Sequence, residues 1–503
     1  MGTPSVAIGL ERRGQNARAG FIFFFLIASA VLAIHYPLWD LPYFWDELGQ
    51  FVPAALDIHQ DGRFVPQSTL PNIHPPGIPL WLAAVWTLFG YSVTATRLAM
   101  LLLASVGAFL AFLLALRLAD GVRGLPGLYV LLLLLLNPLF YTQSMMAQLD
   151  MPAMVFTLLA LWLFLEERLW LAILACTVLV WVKETGIVLP VVMGWLLLRE
   201  GRRREALLFA LPCVSLLPWL GVLWQATGSI FGNREFAEFN LSYPLHPPRL
   251  VLALLRRGFE LFLNHGYFLG ALPLAVLWRR LPLFQRREWT LIFWFSILHI
   301  LAVTVTGGAV LERYLLPVLP LTLIAFVFSW SHLRPRWRNT LPLATAVLSA
   351  SGFFLSSWFP QPHENDLSMV RLVRLFQLAA REAESAPASQ RIATAWPLSD
   401  ALRRREFGYV AAPRDVLALR DFSPQELARA GKQRPDVMIW FSRDSLGNSW
   451  LFDRFPTLAR VREQIYGWQT EDDAIGVEQT TGLREAYRVR TGGESMAIFR
   501  RAR

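Results

Sequence analysis

Cysteine is almost absent from this chain. There are two in 503 residues, Cys176 and Cys213, both set inside hydrophobic runs. That excludes a disulfide framework and a cysteine metal site. Charge is also scarce: 17% of residues are charged against 55% hydrophobic, too apolar a balance for a soluble protein of this length. There is no Walker-type glycine loop, no Asp-x-Asp pair, no internal repeat and no low-complexity stretch. The net charge of +10 does not point to nucleic acid, because the basic residues fall in short clusters between hydrophobic runs: Arg12/Arg13, Arg202/Arg203/Arg204, Arg279/Arg280 with Arg286/Arg287, and Arg334/Arg336/Arg338. By the positive-inside rule each cluster marks a cytoplasmic loop. The 35 Phe and 20 Trp fit span interiors and interfacial belts.

The spacing predicts an α-helical polytopic membrane protein. A first span runs from about Gly20 to Ile34. Ala28-Ser29-Ala30 resembles a signal-peptidase site, but the parity of the later spans favours keeping this segment as an anchor. Further apolar runs lie at about 92–118, 125–145, 150–165, 169–183, 187–199, 206–225, 266–278, 290–306, 314–332 and 340–358, several of them under the usual ~20 residues. That makes about eleven crossings from a cytoplasmic N-terminus. After Trp358-Phe359-Pro360 the composition turns to mixed charge, which divides the chain into a membrane module, 1–360, and a domain on the opposite side, 361–503. In that domain, Ser368 to Glu384 reads as an amphipathic helix. Arg391–Trp396 and Asp436–Phe441 read as buried strands, giving a small extracytoplasmic α/β domain.

The first outer loop, 35–91, is far longer than a connector needs. It holds Asp46 and Glu47 in the aromatic patch Tyr43-Phe44-Trp45-Asp46-Glu47. Partial burial among rings tends to raise a carboxylate's pKa, which suits a general base; the plain alternative is a solvated acidic pair. His74-Pro75-Pro76 is a stiff turn that starts the apolar run Ile78 to Phe89, read as an interfacial helix. Asp150 precedes Met151-Pro152, a position equally suited to a helix cap, and falls on the same face as Asp46. Lys183 and Arg313 lie on that outer face too, against the charge bias. They are cations able to hold a phosphate, or else they pair within Lys183/Glu184 and Glu312/Arg313.

Trp45-Asp46-Glu47, Asp61-Gly62-Arg63-Phe64, Asn72-Ile73-His74-Pro75-Pro76, Gln148-Leu149-Asp150, Val182-Lys183-Glu184-Thr185-Gly186 and Arg313-Tyr314-Leu315-Leu316-Pro317 follow one another in an order. That order resembles the GT-C membrane glycosyltransferases, in the branch containing protein O-mannosyltransferases and bacterial lipid A aminoarabinose transferases. The resemblance covers residues 20–358. It implies a GT-C-like fold in a bacterial inner membrane with a periplasmic active site. It also implies a polyprenyl-phosphate-linked sugar donor, a lipid, glycan or protein acceptor, and inversion in one displacement. Asp46 matches the family's catalytic aspartate and Glu47 its acidic neighbour. Asp150 matches the second acidic position, and Lys183 and Arg313 match basic residues near the donor phosphate. His74 is counted with Lys183 and Arg313 as a donor-phosphate ligand, although its His-Pro-Pro departs from the Lys-Pro-Pro of the aminoarabinose branch and is closer to the mannosyltransferases. No cofactor is required by this scheme; if a divalent cation binds, Asp46, Glu47 and Asp150 are its expected ligands. The competing readings are a flippase or transporter of a lipid-linked substrate, which would place its charges near the midplane, and a membrane protein whose exported domain carries the function. Within the enzyme class the alternative is a ligase drawing on a polyprenyl-diphosphate glycan.

Overall fold

The computed structural model describes residues 4–119, 125–281, 284–354, 362–442, 454–458, 460–461, 474–491 and 494–501. The expected boundary at Trp358-Phe359-Pro360 lies outside them. Up to Ser351 the described chain is a bundle of helices, and beyond it a helix and a five-stranded sheet follow.

Each long apolar run folds as a helix, yet few run unbroken across the bundle. Among the described residues, Arg18–Leu38, Val93–Leu118, Arg203–Thr227 and Arg287–Val305 are long and apolar enough to cross a membrane. The run read as 125–145 is two helices, Pro126–Leu135 and Pro138–Met145, bent by 71°. Pro138 has no N–H to continue the ladder, and the Asn137 side chain accepts from the Phe140 N–H instead, so a new helix starts there. Other runs are short helices, such as Phe268–Leu277 and Leu319–Ser331. Ten residues cover only about 15 Å, half a bilayer core. The structure therefore supports fewer full-length spans than the eleven expected crossings, because prolines and polar turns interrupt the apolar runs.

The interruptions gather at one end of the bundle and the basic clusters at the other. Arg202 Nη2 donates to Glu167 Oε2 at 2.9 Å, Arg287 Nε to Glu200 Oε1 at 2.7 Å, and Arg286 Nη1 to the Leu118 carbonyl at 3.2 Å. These clusters thus meet where the Val93–Leu118 and Asp150–Leu165 helices end. The opposite end carries the first loop, which is mostly helical: a π-turn at Glu47–Phe51, then Val52–Asp61 and Gly77–Phe89. The last is the helix expected over 78–89; it buries Ile78, Leu82, Val85 and Trp86 and exposes Leu88 and Phe89.

The part beyond Ser351 follows the sequence reading closely. Ser368–Ser385 is a helix whose Met369, Leu372, Val373, Leu375 and Phe376 are buried. Strands β1 (Ile392–Ala395), β2 (Val416–Leu419), β3 (Val437–Phe441), β4 (Arg484–Thr491) and β5 (Glu494–Arg500) form one sheet in the order β2-β1-β3-β5-β4. β1 runs parallel to β2 and β3, whereas β5 is antiparallel to β3 and β4. The uninterrupted burial of β1 and β3 is what a central parallel strand covered on both faces requires. This domain sits on the first loop. The Tyr409 hydroxyl donates to the Tyr43 carbonyl at 2.8 Å, and Trp396 packs edge-on against Trp45 with ring centroids 4.8 Å apart. One hydrophobic core runs through both parts.

Candidate functional site

The broken helices bring their polar ends to a single cavity of about 540 Å³. Asp46 enters from the first loop, just after Trp45, whose φ of 51° turns the backbone out of the aromatic patch. Asp150 opens the Asp150–Leu165 helix; Lys183 ends the Leu169–Val182 helix in extended conformation; Arg313 and Tyr314 lie in the one-turn helix Glu312–Leu315. All five residues line the cavity, as do His74 and Glu184. The far wall is apolar, with Phe231, Phe239, Leu241, Ala302 and Val303.

Arg313 is the hub. It is buried, and its Nη2 donates to Asp46 Oδ2 at 2.5 Å while its Nη1 donates to Glu364 Oε2 at 2.8 Å and Gln148 Oε1 at 2.5 Å. Its Nε lies 3.1 Å from Asp150 Oδ2. Lys183 Nζ donates to the other Asp150 oxygen at 2.5 Å and sits 4.1 Å from the centre of the Tyr314 ring. Three carboxylates thus face two cations in a nearly dry site, where each unpaired charge would be costly. Burial pushes the Glu364 carboxyl up to about 7 against the pull of Arg313, and the charges of Asp46 and Asp150 add to the rise. His74 Nδ1 and Glu184 Oε2 are 2.8 Å apart at the cavity edge. Burial alone would raise the Glu184 carboxyl, but the charges of His74 and Lys183 and the His74 hydrogen bond hold it down at about 2.

Five of the six residues singled out in the sequence meet here: Asp46, His74, Asp150, Lys183 and Arg313. Glu47 does not. Its carboxylate is fully buried on the other side of the turn, gripped by both terminal nitrogens of Arg97 and accepting from the Phe44 N–H at 2.9 Å and the Ala147 N–H at 2.6 Å. Its place is that of an anchor for the first loop. The pairs expected between chain neighbours, Lys183/Glu184 and Glu312/Arg313, are replaced by long-range ones. Glu184 takes His74, and Glu312 takes Arg256 and the Asn365 amide. The three carboxylates expected around a divalent cation do not converge. Among the described residues, no group of three or more His, Cys, Asp or Glu is arranged to hold a metal ion.

Sequence reasoning missed Arg97 and Glu364. Arg97 had a signal: it is a charge near the start of an otherwise apolar span, where an unpaired guanidinium is too expensive to leave. Glu364 had none, being one acid in a polar stretch whose approach to Arg313 depends on how the C-terminal domain docks.

No family model matches the sequence, and no curated protein matches it. Solved structures share its fold. The crystal structure of ArnT from Cupriavidus metallidurans bound to undecaprenyl phosphate superposes with a TM-score of 0.52 at 15% identity, over 95% of this chain and 97% of that one. The apo state of the same protein gives 0.51 at 15% identity, over 96% and 98%. The chain therefore shares the fold of these structures along nearly its whole length.

Proposed function

We propose that this protein is an integral-membrane glycosyltransferase. In this reading it moves a sugar from a polyprenyl-phosphate donor to an acceptor on the outer face of a bacterial plasma membrane, with the N-terminus cytoplasmic and the exported domain periplasmic. The observation that carries the reading is the Asp46–Arg313 pair in the lining of a cavity that joins Asp150 and Lys183 to an apolar wall. The likeness in fold to a protein crystallised with undecaprenyl phosphate supports a lipid phosphate as the ligand of that cavity.

The pairing suggests how the parts act. A donor phosphate entering beside Lys183 and Arg313 competes with Asp150 and Asp46 for their N–H groups; a bidentate guanidinium and an ammonium are suited to it. Once Arg313 is drawn to the phosphate, Asp46 is free to accept a proton. The acceptor hydroxyl oxygen then bonds to the anomeric carbon from the face opposite the phosphate. The carbon–phosphate oxygen bond breaks with its electron pair going to the lipid phosphate, and the hydroxyl proton passes to Asp46. Configuration inverts in one step. The cations stabilise charge that develops on the leaving oxygen, and the base pays no orientation cost because the loop already holds it. His74 positions Glu184 at the rim, which places it for donor contact without being a ligand already committed to the phosphate. Glu47 supports the base through Arg97.

The charges gather at one end of the bundle, as an enzyme working at the interface needs and a transporter with midplane sites does not. The test is transfer from polyprenyl-phosphate sugars to acceptors in a membrane extract, comparing wild type with Asp46→Asn at equal folded yield. Loss of nearly all transfer in the variant supports the reading; equal activity refutes Asp46 as the base.

A further inference from the structure

A cavity of about 470 Å³ opens on the flank of the molecule where the first loop meets the C-terminal domain, and it shares no lining residue with the cavity that holds Asp46. Its polar walls are His59 and Gln60 from the Val52–Asp61 helix, Tyr91 from the turn before Val93–Leu118, and Arg405 and Glu406 from the one-turn helix Arg405–Phe407. The buried Trp86 holds two of these rings edge-on, His59 at 6.0 Å and Tyr91 at 4.8 Å between centroids. The Tyr91 hydroxyl donates to the Glu406 carbonyl, which clamps the two walls together.

The neighbours of the cavity set its depth against a bilayer. Ser92 caps the Val93–Leu118 helix, accepting from the Ala95 N–H at 3.0 Å, so Tyr91 stands just outside a helix long and apolar enough to span. The turn after Glu406 rests on the same helix end: a Cβ on Gly408 would stand 3.0 Å from Val93 Cγ2. On the other side, Leu88 and Phe89 end the Gly77–Phe89 helix and are 75% and 78% exposed. Large apolar side chains bared beside the start of a span belong among acyl chains, which puts the adjoining polar cavity at headgroup depth.

The polar groups of the cavity are largely unspent. Thr87 Oγ1 gives its hydrogen to the Ala83 carbonyl at 2.8 Å, so toward His59 Nδ1, 3.2 Å away, it can only accept. Nε2 of the neutral His59 ring is then an acceptor, and among the described residues neither it nor the Gln60 amide has a partner. Arg405 uses only Nε, on Glu406 Oε1 at 3.4 Å, which leaves its two terminal nitrogens and Glu406 Oε2 open. A purely anionic ligand would meet Glu406 and a purely cationic one would meet Arg405. A zwitterion with a phosphate and a short arm to an ammonium satisfies both: the guanidinium fork suits the phosphate, and the carboxylate suits the ammonium. The acceptor nitrogen of His59 favours an ammonium that still carries N–H groups over a trimethylated one.

We propose that this cavity is a phospholipid site for a phosphoethanolamine headgroup, with the phosphate on Arg405, the primary ammonium between Glu406 and His59, and the acyl chains along Leu88 and Phe89. It stands apart from the glycosyltransferase reading and does not rest on it. A lipid held there fastens the C-terminal domain to the bilayer beside the span on which that domain leans.

The experiment uses the full-length protein, delipidated in detergent and titrated with phosphatidylethanolamine, phosphatidylcholine or phosphatidylglycerol of identical acyl chains, with bound lipid counted by native mass spectrometry. Wild type is expected to bind phosphatidylethanolamine about tenfold more tightly than either of the others. Arg405→Gln should weaken that binding by about tenfold, and Arg405→Lys should recover part of it. Glu406→Gln should erase the preference over phosphatidylcholine while keeping the Tyr91 clamp, which uses the Glu406 main chain. Leu88→Ser/Phe89→Ser should weaken all three lipids alike and leave their order unchanged. The unfolding midpoint, read on the same samples before lipid is added, should match wild type in the Arg405 and Glu406 variants, so that a lost preference reports the site and not the fold. Equal binding of phosphatidylethanolamine and phosphatidylcholine by wild type, or a preference unmoved by Glu406→Gln, overturns the proposal. Tightest binding of phosphatidylglycerol makes the cavity a plain anion site and overturns it as well.

Discussion

Asp46 and Glu47 adjoin in the chain but occupy different surroundings, and substitutions should separate them. Asp46 is partly exposed at the cavity, with one strong partner, Arg313. Asp46→Asn is therefore expected to leave the unfolding midpoint near wild type and to cut transfer by about 10²–10⁴-fold, the usual share of a general base. Glu47→Gln leaves Arg97 buried without its counter-charge, and the penalty for stripping one partner from a buried pair is about 3–5 kcal/mol. A clear fall in the unfolding midpoint in detergent, with the donor site intact in what remains folded, is the expected result. Glu364 adds a pH signature. Burial holds its folded carboxyl up at about 7, above the ordinary value of 4.5. Between those values the folded chain keeps a proton that the unfolded chain has released. This group's contribution to stability is complete below about 4.5 and lost as pH rises through about 7. The unfolding midpoint of wild type should therefore fall from pH 5 to 8 more steeply than that of Glu364→Gln. Parallel curves would show that Glu364 does not titrate in this range.

At the scale of elements, the site depends on where helices stop. The Gly77–Phe89 helix begins hard against the end of Leu169–Val182, which fixes His74 on one segment relative to Lys183 on the other. A Cβ on Gly77 would stand 2.8 Å from the Trp181 carbonyl carbon and closer still to its oxygen. Both are backbone atoms, so neither can swing aside. Gly77→Ala is expected to lower the unfolding midpoint and weaken undecaprenyl phosphate binding together, by forcing the two segments apart. Gly20→Ala, where nothing lies within 4 Å, is the control and should change neither. A second element was not expected from the sequence: the amphipathic helix Pro247–Phe262. It is tied to Arg287–Val305 by Arg257, which donates to Thr304 Oγ1 at 3.1 Å and the Val303 carbonyl at 2.8 Å, and it exposes Val251, Leu254 and Leu255. Its apolar stripe is broken by Arg256 and Arg257, which is why a search for uniformly apolar runs passes over it.

For the molecule as a whole, the C-terminal domain is part of the site. Glu364 and Asn365 hold Arg313 and Glu312, neighbours in the one-turn helix Glu312–Leu315, and the Tyr409–Tyr43 bond ties the sheet domain to the first loop. Ending the chain at residue 361 should therefore abolish transfer even though Asp46, Asp150, Lys183 and Arg313 all remain, and should lower the unfolding midpoint of the membrane bundle. Full activity in such a truncation would show that the cavity forms without its cover. The fold was legible where the signal is local. The Ser368–Ser385 helix and strands β1 and β3 appear where periodicity and β-branched runs put them, within one or two residues. The number of complete crossings was not, because hydropathy measures how apolar a run is and does not register a break such as Asn137-Pro138 within it.

The sequence by itself determined that the chain is a helical membrane protein followed by a small α/β part, and it put Asp46, His74, Asp150, Lys183 and Arg313 on one face. Composition, charge clusters and turn residues act over a few positions, so they can be read in order along the chain. Only the tertiary structure decided which charges meet. Glu47 turns away to Arg97, Glu184 leaves Lys183 for His74, and Glu364 reaches from the C-terminal domain to Arg313. In a dry interior every charge must find a partner, and the partner it finds is set by which helix ends the packing brings together, not by which residue comes next.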